Sequence, residues 1–159
     1  MAVVPSRDSL TIPWTPLMAV VLIGCAGGGD GETTPGPDPV EEACYHVEEG
    51  TIIDGGADAD SAPSLTDGDY YRVVLQADAP TFVRIDSSGG TLALQSDLED
   101  AFASLTTDGS TVDLPPSDIN PNCTQDILSL VEVSVDGGEH VVELAESLYA
   151  TAWVSLTTR

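Results

Sequence analysis

From Ala43 onward, apolar and polar residues alternate in short bursts. Tyr70 to Gln76 (YYRVVLQ) sets Tyr71, Val73 and Leu75 on one side and Arg72 and Gln76 on the other, a period of two that predicts a half-buried strand. Leu128 to Val135 (LSLVEVSV) follows the same rule. Leu128 or Val131, with Val133 and Val135, is available to a core, while Glu132 and Ser134 face out. Runs of similar length cover Thr81 to Asp86, Thr91 to Gln95, His140 to Ala145 and Thr151 to Thr157, and the last two are expected to form a terminal hairpin pair. Over Ser96 to Leu105 a helical turn competes with a strand. The Asp-Gly turn that follows favours a strand from about Ala101.

Between these runs stand Asp67-Gly68-Asp69, Ser88-Gly89-Gly90, Asp108-Gly109-Ser110 and Asp136-Gly137-Gly138. Gly and Asp reach backbone angles that β-branched residues avoid, so each cluster marks a turn. Short strands at this spacing predict an all-β fold over residues 41–159: an antiparallel β-sandwich, jelly-roll or Ig-like, of about seven to nine strands.

The first forty residues obey a different rule. Leu17 to Ile23 (LMAVVLI) is continuously apolar and too short to span a bilayer, which takes about 20 apolar residues. It has the outline of a signal-peptide core, although Arg7, cancelled by Asp8, is the only cation before it and Pro13 and Pro16 interrupt the approach. The following Ala26 to Pro39 (AGGGDGETTPGPDP) contains nothing apolar larger than alanine. It cannot bury a core, and it is expected to be a disordered, partly extended tether.

Between the two stands Leu22-Ile23-Gly24-Cys25, which resembles the lipobox of bacterial lipoproteins. In that family small residues flank the cut, and the cysteine thiol carries diacylglycerol and becomes the new N-terminus. The resemblance implies that residues 1–24 are a removed signal peptide, that Cys25 bears the lipid, and that residues 25–40 are linker. It implies an exported protein at the cell envelope. Ala26 in place of Asp is similar to the outer-membrane sorting pattern of some lipoproteins, so outer membrane or cell surface is expected.

Charge narrows the partners. The 27 Asp and Glu stand against 4 Arg and no Lys, a formal charge of −23. Such a surface repels phosphate backbones and anionic headgroups, whose binding needs clustered cations. Nucleic acid is excluded as a partner, and contact with a membrane is expected only through the lipid. Acidity can also mean disorder, but 42% of the residues are hydrophobic, enough to offset the entropy of ordering.

Three stretches carry a second resemblance. Leu65-Thr66-Asp67-Gly68-Asp69-Tyr70-Tyr71-Arg72-Val73 looks like the start of a first long strand. Ala103 to Val112 looks like a strand ending in an Asp-Gly turn. Gly137-Gly138-Glu139-His140-Val141-Val142-Glu143-Leu144 looks like a closing turn and alternating strand, with His140 where an aromatic residue is usual. Together, over roughly residues 51–156, the succession resembles β-sandwich modules of the bacterial pre-peptidase C-terminal type. That family implies a secreted, non-catalytic module that accompanies exported hydrolases.

With Cys25 set aside, Cys44 and Cys123 form an even pair, in an exported protein most simply a disulfide. Closing that loop restricts the unfolded chain by roughly 4 kcal/mol in the entropy model. A catalytic Cys44 with His46 two residues on would require a free, activated thiolate, which such a pairing denies. His140 and Glu143, three apart on a strand, face opposite ways and cannot share a metal; His140 is expected at a surface or edge. No nucleophile elbow, His-Glu-x-x-His or phosphate-cradling glycine loop occurs, and no enzyme is expected. Calcium is the one cofactor the residues suggest. Asp54, Asp58, Asp60, Asp67 and Asp69 crowd two loop segments and offer the oxygen ligands Ca²⁺ takes, without the EF-hand spacing.

The expected function is that of a lipid-anchored envelope protein whose β-sandwich binds an envelope protein or glycan, or serves a structural role. The alternatives are a secreted accessory module of an exported hydrolase system and an envelope hydrolase.

Overall fold

The computed structural model describes residues 36–159. The expected signal peptide, Cys25 and most of the expected linker lie outside the described residues.

Among the described residues ten strands form two five-stranded sheets. In chain order they are β1 (Thr51–Asp54), β2 (Ser64–Leu65), β3 (Tyr70–Val74), β4 (Thr81–Ser87), β5 (Gly90–Ser96), β6 (Phe102–Thr107), β7 (Ser110–Val112), β8 (Ser129–Val135), β9 (Gly138–Leu144) and β10 (Thr151–Thr158). One sheet runs β1-β3-β10-β5-β8 and the other β2-β4-β9-β6-β7. The all-β sandwich is as the alternation predicts. The strand count is slightly higher, because β1, β2 and β7 have only two to four residues, too few for periodicity to register.

Two pairings are not antiparallel: β1 lies parallel to β3, and β2 parallel to β4. Both involve short edge strands that return after a loop rather than a tight hairpin. The expected hairpin of the last two strands is corrected as well. β9 pairs with β4 and β6, whereas β10 pairs with β3 and β5. The six residues from Ala145 to Ala150 carry the chain from one sheet to the other, so the two strands face each other across the core.

That core is built from one side of each strand. Val73 of β3, Leu92 and Leu94 of β5, Val131 of β8 and Val154 of β10 meet Val83 and Ile85 of β4, Leu105 of β6 and Val142 of β9, all buried. The period of two alone selects them. Ser96 to Leu105 resolves in favour of the strand, since β6 begins at Phe102.

A second, smaller layer covers the outer face of the first sheet. There Trp153, fully buried, packs with Ala43 and Ile127. The cover consists of α1 (Pro39–Glu42) with the 3₁₀ turn Ala43–Tyr45, and of the loop around Asn120. Asp38 caps α1, its side chain accepting from the Val40 N–H, as a short helix start requires. The disulfide Cys44–Cys123 joins the two covering segments. Asn120, fully buried, donates to the Val40 carbonyl and to Gln95 Oε1 of β5. Trp153 Nε1 donates to the His46 carbonyl, and Arg72 to that of Val47. Tyr70 stacks between His46 and Trp153; partial burial, then the charges of Glu42, Glu49 and Asp69, raise its phenol pKa.

The sandwich has two unlike poles. At one, β4 passes to β5 and β8 to β9 through tight glycine turns, so close together that a Cβ on Gly89 would lie 2.8 Å from the Gly137 nitrogen. The described chain begins and ends at this pole, where Arg159 pairs with Asp38 at 2.9 Å and with Glu132. At the other pole the β3–β4, β5–β6 and β9–β10 connections cross between the sheets as longer loops. Asp78 and Asp100 adopt left-handed backbone there, φ 53° and 46°, a conformation Asp tolerates better than most residues.

Candidate binding groove

Where the three long loops meet, the sheets do not close over the core. A cleft of about 300 Å³ opens between them, floored by Leu75, Leu98, Ala101, Leu144 and Ala152. Its size is at the low end of small-ligand sites. Leu75 and Leu98 continue the inward rows of β3 and β5 just past the end of pairing and are only partly buried, whereas Ala101, Leu144 and Ala152 belong to the buried core beneath them, so the groove is an opening at the edge of the core rather than a separate structure.

The walls combine apolar and acidic groups. Glu99 on the β5–β6 loop and Glu146 on the β9–β10 loop are exposed at the mouth. Beside them Leu148 is 99% exposed and Tyr149 67%. Large apolar side chains in such a position are informative when they adjoin an apolar cleft. Asp97 also lines the groove, but its carboxylate is committed: one oxygen accepts from the Trp153 N–H at 2.8 Å and the other from Arg72 at 3.2 Å. Asp97 therefore fixes the wall to the buried layer behind it, and the charge offered to a ligand comes from Glu99 and Glu146.

The residues singled out from sequence fall elsewhere. Cys44 and Cys123 are joined, which leaves no free thiol for His46 among the described residues; that histidine instead pairs with Glu49 at 2.8 Å. His140 is neither at the surface nor at an edge. It is fully buried at the middle strand of its sheet, pointing into the core, because it occupies the inward register with Val142 and Leu144. Two hydroxyls make that burial tolerable: Ser87 Oγ lies 2.8 Å from Nε2, and Thr107 Oγ1 2.8 Å from Nδ1. Ser87 and His140 thus stand at the separation of a nucleophile and its base. However, both are closed from solvent, and the second ring nitrogen meets a hydroxyl where a triad would have a carboxylate. Glu143, on the opposite face as expected, accepts a hydrogen bond from Ser104.

The five aspartates are not gathered. Asp54 ends β1, while Asp69 precedes β3, and the parallel register Thr51↔Tyr71 separates them by about 16 Å along the strands. Asp58 accepts from the N–H and hydroxyl of Ser61 at 2.8 and 2.7 Å, bonds that lower its pKa. Asp67 accepts from the Thr158 N–H at 2.8 Å. Among the described residues no group of three or more His, Cys, Asp or Glu is placed to hold a metal ion.

Sequence reasoning did not find the groove. The available signal was Leu148-Tyr149, two large apolar residues in a connection where a polar turn is the rule, and Glu146 just before them. No family model matches this chain, and no curated protein matches it significantly, so the groove has to be interpreted from its own chemistry.

Proposed function

We propose that the protein is a lipid-anchored component of a bacterial cell envelope whose β-sandwich is a non-catalytic binding module, with the groove between the β3–β4, β5–β6 and β9–β10 loops as its binding site. The observation that carries this reading is the polarity of the domain. The described chain starts beside Arg159 at the tight-turn pole, and the groove opens at the other end of strands as long as the eight-residue β10. A tether from Cys25 would enter at the pole away from the groove and leave the groove free for a partner.

Export is supported by the disulfide, since structural disulfides are rare in reducing compartments. The anchor rests on the resemblance of Leu22-Ile23-Gly24-Cys25 to a lipobox. An accessory role beside an exported hydrolase is compatible with the same groove. A hydrolase reading has no support in the geometry of Cys44, His46 or the closed Ser87–His140 pair. Calcium likewise draws no support from the placement of Asp54, Asp58, Asp60, Asp67 and Asp69.

Mass spectrometry of the N-terminal peptide from the membrane fraction of a bacterial host tests the anchor. A peptide beginning at acylated Cys25 is expected, together with a Cys44–Cys123 peptide pair that separates on reduction. An unprocessed chain beginning at Met1 would remove the anchor.

A further inference from the structure

We propose that the groove receives an extended peptide segment of a partner protein in which aliphatic side chains alternate with lysine or arginine. This inference deepens the binding-module reading and rests on it. The floor supplies the first half of the specificity. Leu75 and Leu98, only partly buried, line an open cleft, and Leu148, next in the chain to the lining residue Tyr149, has 99% of its surface in water. Together these three side chains leave apolar area uncovered on a strongly charged domain. Burying one aliphatic side chain there recovers free energy from both partners.

The rim supplies the second half. Glu99 and Glu146 come from two different loops that line the cleft, and among the described residues neither forms an ion pair. Among the described residues every arginine is already engaged: Arg72 with Asp97, Arg84 with Glu139, and Arg159 with Asp38 and Glu132. No arginine among the described residues is therefore free at the mouth for a carboxylate or phosphate, and an anionic ligand would meet the repulsion of Glu99 and Glu146. A second copy of this chain and an anionic lipid surface are disfavoured on the same ground, given a net charge of −23. A cationic segment with an aliphatic side chain satisfies floor and rim at once.

Fluorescence anisotropy with the purified full-length chain tests this directly. Three labelled, end-blocked peptides are compared: Gly-Lys-Leu-Arg-Leu-Lys-Gly, its counterpart with glutamate at each basic position, and its counterpart with serine at each leucine. The first should bind, and the other two at least about tenfold more weakly, having lost the charge match or the buried side chains. The double variant Glu99→Gln/Glu146→Gln should weaken the first peptide about three- to tenfold, the sum of two exposed ion pairs. Leu148→Ser should weaken it comparably, and because these three positions are exposed, folding is not at stake. Neutralising Asp108 and Asp136, at the opposite pole, should leave affinity unchanged.

Absence of binding, equal binding of all three peptides, or equal weakening by changes at both poles would overturn the proposal, the last because it would reveal diffuse charge attraction. The state of Cys25, read by mass on the same preparation, separates the two readings. An unacylated chain that still selects the first peptide removes the anchor and keeps the groove; an acylated chain that selects none removes the peptide and keeps the anchor.

Discussion

His140 is a polar ring at an inward strand position, held by hydroxyls contributed from both neighbouring strands. A buried imidazole without partners would cost several kcal/mol, and with two it costs little. The network should therefore be destabilising to break and cheap to replace whole. His140→Leu alone strands the hydroxyls of Ser87 and Thr107 and should cost about 2 kcal/mol in urea denaturation. Adding Ser87→Ala and Thr107→Val should recover most of that loss, because an apolar patch of similar shape leaves unmade only the long contact from the Gly89 N–H to Ser87 Oγ, at 3.4 Å. A triple variant less stable than the single one would mean that packing around the ring, rather than hydrogen-bond satisfaction, dominates. Nothing local in the sequence marks this arrangement. His140 alternates correctly with Val142 and Leu144, but its partners are 53 and 33 residues away, and a histidine in a strand is ordinarily assigned to the surface.

At the level of elements, the long strands were legible because one buried face imposes a period of two; β3, β4, β5, β8 and β10 fall where the alternation places them. Which sheet each joins was not legible. Period records which face is buried and carries no information on the neighbour, so the Ala145–Ala150 connection looked like a hairpin and is a crossover. The groove was hidden for the same reason, being made by three connections that meet only after the sheets pack. The disulfide was legible by count, but its task was not. Cys44–Cys123 fastens two covering segments over Trp153, and those segments are also held by Asn120, by Arg72 and by Trp153 Nε1. Replacing both cysteines with alanine should thus lower stability by about 2–4 kcal/mol, through the freed unfolded chain. In the native state the cover should stay closed, so the emission of Trp153, isolated by Trp14→Phe, should keep its buried, blue-shifted position. A red shift in native buffer would instead make the disulfide the element that holds the cover.

For the whole molecule, charge is the dominant long-range term. With 27 acidic residues against 4 arginines, the described ion pairs neutralise only a small part of the total, and self-repulsion favours the expanded chain. Added salt therefore has two opposed effects, weakening the pairs of Arg72, Arg84 and Arg159 and weakening the repulsion among all the rest. Repulsion has far more participants, and exposed pairs contribute at most about 1 kcal/mol each, so Tm at pH 7 should rise as NaCl is increased from 10 to 500 mM, over which the screening length falls from about 30 Å to a few ångströms. Divalent cations should act more strongly in the same direction by accumulating near a polyanion. Because the aspartates of the 54–69 segment are spread along the strands and partly committed to Ser61 and Thr158, that response should not distinguish ions: CaCl₂ and MgCl₂ at equal concentration should shift Tm alike. A calcium-specific rise that saturates at micromolar concentration, and that Asp54→Asn or Asp69→Asn abolishes, would show that the loops close around the ion and would make calcium part of the fold.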